Sequence, residues 1–255
     1  MLISLAQVKV EEKSNEITAI PALLELLDIT GAIITIDAMG TQTKIAKQIV
    51  AGKADCVLAL KGNHPTLYSQ VQQWFETAVT NNFIGIEISY DKRIEKAHHR
   101  TEIREVWSVA VSAIPQLYQP KVWVGLQSLV IVICVRHLWN KTTREVQFYL
   151  TSLHSDAQLI GRAIRKHWGI ENEGHWTLDC TFAEDACRIR SNHSPENFAL
   201  LRRFALNALN CEKTYKRSLR QKMKRTAMDN NYMIQVLSCC FIGNTLDSSD
   251  SFCQA

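Results

Sequence analysis

Two apolar, β-branched runs separated by one short helix limit the folds open to this chain more than any other feature. The first run, "AIITID", spans Ala32 to Asp37, and the second, "DCVLALKGN", begins at Asp55. Between them Thr41 to Ala51 has a helical period with Ile45 and Ile49 inward, and Gly52 stands at the C′ position, where a left-handed residue often ends a helix. A strand, a short helix and a strand make a βαβ unit, so the two strands should be parallel and joined by a right-handed crossover. Both should be buried.

The flanking sequence extends this α/β core. "LISLAQVKV" reads as a strand, and "IPALLELLDI" as a helix with Pro21 near its first turn. A further helix is expected over about Pro65 to Thr80. From 83 to 151 the texture changes to period-2 stretches such as "VWSVAVS" and "VQFYLTS", which predict antiparallel strands inserted into, or extending, the core. "SDAQ", Ser155 to Gln158, has the form of a capping box opening a helix that runs to about Glu173. Ser194 and Pro195 open another, as N-cap and N1. The expected organisation is a core at 1–82, a β-rich insertion at 83–151, a helical part at 152–212, and a basic helix with a frayed tail at 213–255.

With 255 residues the chain can bury a sizeable core. No apolar run approaches the roughly 20 residues that span a bilayer, and the amino terminus lacks the pattern of a secretion signal. The eight cysteines show neither CxxC pairs nor regular spacing, which favours reduced thiols and a cytoplasmic location. Net charge is +4 but uneven. "KTYKRSLRQKMKR", Lys213 to Arg225, carries seven basic residues and no acid. Such a run is either a solvated helix face or a phosphate-binding surface, with Lys216, Arg217 and Arg220 the candidate contacts.

Two acids stand out. Asp37 ends a buried strand, and ligands of open α/β sheets bind beyond the carboxyl ends of strands. It is either a turn acid or a metal ligand. In "IRKHWGIENEGHW", Ile164, Trp168, Glu171 and His175 follow one helical face, so Glu171 should lie on or beside the inward side. A carboxylate there needs a cationic partner or a metal. Glu173 is a rival two positions on. An acid at a strand end and an acid on an inward helix face are the oxygen ligands that a hard cation such as Mg²⁺ takes. Lys61, after the second strand, is either a loop lysine or a DNA-phosphate contact. Arg100, Glu102 and Arg104 share one strand face, as a solvent-facing row or as DNA contacts. Trp168, His175 and Trp176 read as packing residues.

The blocks "EEKSNEITAIPALLELLDITGAIITIDAMGTQTKIAKQIVAGKADCVLALKGNH", "HHRTEIREV" and "HWGIENEGHWTLDCTFAEDACRIR" resemble the ISAs-type, or H-repeat-associated, insertion-sequence transposases of the DDE class. The resemblance covers roughly residues 7 to 210. It implies an α/β fold with an RNase H-like core, double-stranded DNA as partner, self-association, a place at the bacterial nucleoid, and three carboxylates holding two Mg²⁺ ions. By motif, Asp37 is the second acid and Glu171 the third. The broader pattern puts Tyr and Arg seven and four residues before the third acid, where this chain has Ile164 and His167. The first acid should lie on an earlier strand, and "MLISLAQVKV" contains none. Glu11 and Glu12 follow at that strand's end. The expectation is therefore a carboxyl-terminal part of such an enzyme, truncated at its amino end and inactive alone. A non-catalytic DNA-binding remnant is the alternative. A nucleotide-binding protein is disfavoured, because neither βα turn carries a phosphate-cradling glycine motif.

Overall fold

The computed structural model describes residues 3–8, 16–97 and 99–241. They form two compact units, one from residues 16–167 and the other from residues 3–8 with 168–241.

The first unit is built on one mixed sheet of six strands. Helix α1, Glu16–Glu25, precedes β1, Ile33–Ile36; then come α2, Thr43–Ala51, β2, Asp55–Leu60, and α3, Pro65–Thr80. Four longer strands follow: β3, Ile88–Ala97, β4, Arg100–Ala110, β5, Ser128–Leu138, and β6, Lys141–Thr151. The order across the sheet is β1-β2-β6-β5-β4-β3. β1 and β2 are parallel, with Ile33 opposite Asp55 and Ile36 opposite Leu58. Every other pair is antiparallel. The β-rich stretch thus continues the core sheet through the β2–β6 pairing, Leu60 opposite Phe148.

Around β1, β2 and the adjoining halves of β5 and β6 the sheet buries both faces. On one, Ile34, Ile36, Leu58, Leu60, Leu129, Ile131, Phe148 and Leu150 pack with Ile45 and Ile49 of α2 and Leu67, Val71 and Phe75 of α3. Full burial of such side chains stabilises by about 1.5–3 kcal/mol each. The other face receives α4, Ala157–Gly169, whose Gly161 sits so close to β4 that a Cβ there would stand 3.1 Å from Val106.

Several local expectations need correction. Pro21 lies inside α1, because the helix begins at Glu16 rather than at Ile20. Its ring leaves the Ile17 carbonyl without the usual amide partner. Gly52 is not left-handed (φ −76°); Lys53 takes that conformation at φ 57°. Glycine is needed at 52 for space, since a Cβ would stand 2.7 Å from Ile29. The capping box does not form. Asp156 caps α4 by accepting the Leu159 amide, while the buried Ser155 hydroxyl has no partner among the described residues.

In the second unit α4's continuation changes pitch. Ile170–His175 is π-helical, and α5, Trp176–Phe182, follows. Three helices come after it: α6, Ser194–Cys211, α7, Leu219–Met228, and α8, Asn230–Phe241. Ser194 is the first helical residue, with His193 as N-cap, one position earlier than expected. The amino-terminal segment is not a strand over residues 3–8. Instead the Asn207 side chain takes both backbone groups of Ser4, accepting its amide at 2.8 Å and donating to its carbonyl at 2.6 Å.

Candidate metal and nucleic-acid site

Asp37 is the first residue past β1, and its side chain is exposed at the carboxyl end of the sheet. One oxygen, Oδ1, accepts the Gly40 amide at 3.0 Å, which is the turn role. Gly40 must be glycine, since a Cβ would stand 2.5 Å from Ile36 and 2.7 Å from Ile20. Thr41, fully buried, brings its hydroxyl within 2.8 Å of both the Asp37 and the Ala59 carbonyls. That hydroxyl joins the ends of the two parallel strands.

The loop after β2 reinforces the same turn. The Asn63 amide donates to the Ala38 carbonyl, and His64 Nε2 lies 2.8 Å from the Thr41 carbonyl. His64 meets Trp123 edge to face with ring centroids 5.1 Å apart. Lys61 is exposed in this loop. Asn63 and His64 are site-shaping residues that sequence reasoning missed; the signal was their place directly after the β2 carboxyl end.

The helix that leads to the third-acid segment is tied to β1. Thr35 Oγ1, on β1, lies 3.0 Å from His167 Nδ1, on α4. The side chains of Glu171 and Glu173 lie outside the described part of the structure, as do Glu11 and Glu12. The backbone at Glu171 is π-helical, so the uninterrupted 3.6-residue phase does not hold there. His175 and Trp176 are exposed rather than packed, Trp176 at 61%. Among the described residues no group of three His, Cys, Asp or Glu side chains comes together as a metal cage.

Arg100, Glu102 and Arg104 are not a solvent-facing row. Glu102 is 3% exposed and Arg104 8%. The Glu102 carboxylate accepts from Arg100 and Arg104, and from Arg136 at 3.2 Å. Burial pushes its pKa up, but the surrounding guanidiniums outweigh burial and hold it below the usual value.

The basic run is only partly helical. Residues 213–218 form the turn before α7. Lys213, Lys216, Arg217, Arg220, Lys224 and Arg225 are exposed, but Lys222 is buried. Lys222 Nζ pairs at 3.0 Å with Glu212, itself fully buried. Glu212 also accepts the Thr214 and Tyr215 amides and, at 2.9 Å, the Tyr232 hydroxyl. Burial raises the Glu212 pKa, yet these donors overcome it and bring it to about 2. The same carboxylate shapes the turn that presents Lys213, Lys216 and Arg217. Arg225 lies over the Tyr215 and Tyr232 rings, 4.7 and 4.4 Å from their centroids. Glu212 was invisible in sequence, because a lone acid before a basic run reads as surface.

Comparison with known proteins identifies the class. The transposase DDE domain family matches residues 1–208, and the chain belongs to that family. It is 39% identical over 240 residues to the H repeat-associated putative transposase YhhI of Escherichia coli K12, covering 92% of this chain and 62% of that protein. The figures are the same for the putative protein YbfL of that strain. For the putative transposase YncI of E. coli O157:H7 the identity is 38%, over 92% of this chain and 60% of the relative. The chain thus spans about 60% of the length of these relatives. No solved structure matches it. No helix among the described residues is long and apolar enough to cross a membrane.

Proposed function

We propose that the chain is the Asp37- and Glu171-bearing part of an insertion-sequence transposase that cuts and joins DNA at the ends of its element. The observation that carries this reading is Asp37 itself, an exposed carboxylate at a strand's carboxyl end in a chain whose first 208 residues match the DDE domain. The RNase H-like core, self-association on DNA and association with the nucleoid are carried by the resemblance and belong to the same proposal.

The donor chemistry suits a hard divalent cation. Gly40 occupies Oδ1 of Asp37, and among the described residues nothing else bonds this carboxylate, so Oδ2 is available. Glu171 would supply the other carboxylate. When bound, Mg²⁺ would supply Lewis-acid polarisation of the scissile phosphate and of the attacking hydroxyl. Asp37 would hold its ligand oxygen still, because Thr41, Asn63 and His64 fix its turn. Lys61 would neutralise a neighbouring phosphate, and Lys216, Arg217 and Arg220 would contact the backbone elsewhere.

No residue of these 255 is assigned the role of first carboxylate, so the chain alone should bind metal and DNA without cutting. Such a non-catalytic, DNA-binding role is the second reading, favoured by the six exposed cations between Lys213 and Arg225.

The test is purified chain with Mg²⁺ or Mn²⁺ on DNA bearing the element's ends, with Mn²⁺ binding measured in parallel. Mn²⁺ binding that is lost in Asp37→Asn supports the site. Metal-dependent nicking by the chain, abolished by Asp37→Ala, overturns its inactivity. Mn²⁺ binding that survives both Asp37→Asn and Glu171→Gln overturns the site.

A further inference from the structure

β3 ends the sheet beyond β4, and no strand among the described residues pairs with its outer edge. Such an edge presents a row of unpaired amides and carbonyls, which proteins usually blunt with shortness, proline or a bulge. β3 has none of these. It runs for ten residues, Ile88–Ala97, without proline. Its register with β4 is unbroken from Ile88 opposite Val109 to Ala97 opposite Arg100, so it carries no bulge. Among the described residues no backbone hydrogen bond reaches β3 from any element but β4.

The side chains along this edge are arranged symmetrically about Lys92. Successive residues of a strand point to opposite faces, so Tyr90, Lys92 and Ile94 share one face and Asp91 and Arg93 the other. Tyr90 is 48% exposed and Ile94 55%, two large apolar groups flanking the lysine. On the opposite face the flanking residues carry opposite charges, and Arg93 Nε donates to Asp91 at 2.8 Å. The central lysine is itself answered, since its Nζ lies 3.0 Å from Glu105 of β4.

We propose that the β3 edge is a self-association surface, on which a second copy of this chain pairs its own β3 antiparallel about Lys92. A two-fold axis normal to the sheet then sets Tyr90 opposite Ile94 and Asp91 opposite Arg93, each twice. The exposed apolar groups cover one another, and two aspartates and two arginines form a square of alternating charge. Only Lys92 meets its like, and Glu105 offsets that charge in each copy. Neighbouring registers are worse. Centring on Asp91 sets that acid against its like and leaves Arg93 opposite Ser89. Centring on Arg93 sets it against its like and adds Asp91 opposite Glu95. Centring on Ile94 sets Lys92 opposite Lys96 twice. One axis satisfies both faces of the strand, which singles out a second copy over a foreign strand. The contact needs neither DNA nor metal, and so goes beyond the self-association on DNA proposed above.

The experiment uses the full chain without DNA, in EDTA, and follows its mass by sedimentation against concentration. Wild type should pass from monomer to dimer as concentration rises. Asp91→Arg and Arg93→Asp should each weaken dimerisation by about ten-fold, because each sets like charges opposite. An equimolar mixture of these two variants should dimerise again, since each supplies the charge that the other lacks. The double exchange, Asp91→Arg with Arg93→Asp, should behave as wild type. Lys92→Cys should give a disulfide-linked dimer on mild oxidation, above the wild-type background, since the axis brings this position against itself. Melting temperatures near wild type show that these edge substitutions keep the fold. A wild type that stays monomeric up to its solubility limit overturns the proposal. So does a dimer that both single exchanges leave intact, or a pair of variants that fails to associate when mixed. Failure here with Asp37-dependent Mn²⁺ binding preserved removes the edge contact and leaves the proposed function standing.

Discussion

Thr35 and His167 face each other at 3.0 Å, tying β1 to α4 two residues before Asp37 in one direction and one helical turn before Glu171 in the other. A hydrogen bond of this kind contributes about 1 kcal/mol. Thr35→Val keeps the shape and removes the hydroxyl. It should lower stability by about that amount in urea unfolding, while Thr35→Ser should remain close to wild type.

Asp37 has a turn role and a proposed metal role, and one substitution separates them. Asn at 37 retains an oxygen that can accept the Gly40 amide but loses the charge. Asp37→Asn should unfold near the wild-type temperature without Mn²⁺ and should lose any Mn²⁺-dependent rise. Asp37→Ala should lose both the metal effect and about 1 kcal/mol of stability, because the Gly40 amide loses its acceptor. Calorimetry with and without Mn²⁺ distinguishes the two.

Glu212 makes the α6–α8 unit sensitive to acid. Its folded pKa of about 2 lies below the ordinary 4.5. Ionised Glu212 therefore stabilises the fold above pH 4.5, and that contribution is lost as pH falls from 4.5 towards 2. The shift corresponds to roughly 3 kcal/mol. Glu212→Gln should remove this acid step and leave Lys222 buried without its counter-charge, destabilising at neutral pH by about 3–5 kcal/mol. Helical circular dichroism followed against pH checks both.

The exposed cations before and along α7 should carry a salt-dependent affinity for DNA. Replacing Lys216, Arg217 and Arg220 with Ala should flatten the log–log salt slope by up to about 2.7 units, at about 0.9 for each phosphate left unneutralised. Titration of duplex DNA between low and moderate salt gives the slope. An unchanged slope returns these residues to a solvated face.

The βαβ unit was legible because its signals are local. Apolar runs fix β1 and β2, and α2 and α3 follow their periodicity closely. Most of the misreadings come from competing partners, near or distant in sequence. Residues 3–8 have strand-like composition, yet Asn207 captures the backbone of Ser4. Ser155 has the spacing of a cap, yet Asp156 takes that role. Glu102 looks exposed on its own strand until Arg136 arrives from the neighbouring one. Beyond Gly169, helical phase misled for another reason. A π turn leaves no periodic trace in sequence, so the inward facing inferred for His175 failed there. Of the candidate site, the strand-end position of Asp37 could be read directly; its supports from Thr41, Asn63 and His64 could not.

The antiparallel seam between β2 and β6 also sets a clock on synthesis. Val57 pairs with Thr151, more than 90 residues downstream. At roughly 5–20 residues per second, translation leaves that edge of β2 without its neighbour for about 5–20 s after it is made. The β3–β4 hairpin closes far sooner, since its strands adjoin in sequence. A nascent chain therefore carries an apolar strand edge, Val57 to Leu60, through a long wait in which pairing with another ribosome's product competes with β6. Yield of native protein should depend on elongation rate and on chaperone occupancy of this one edge.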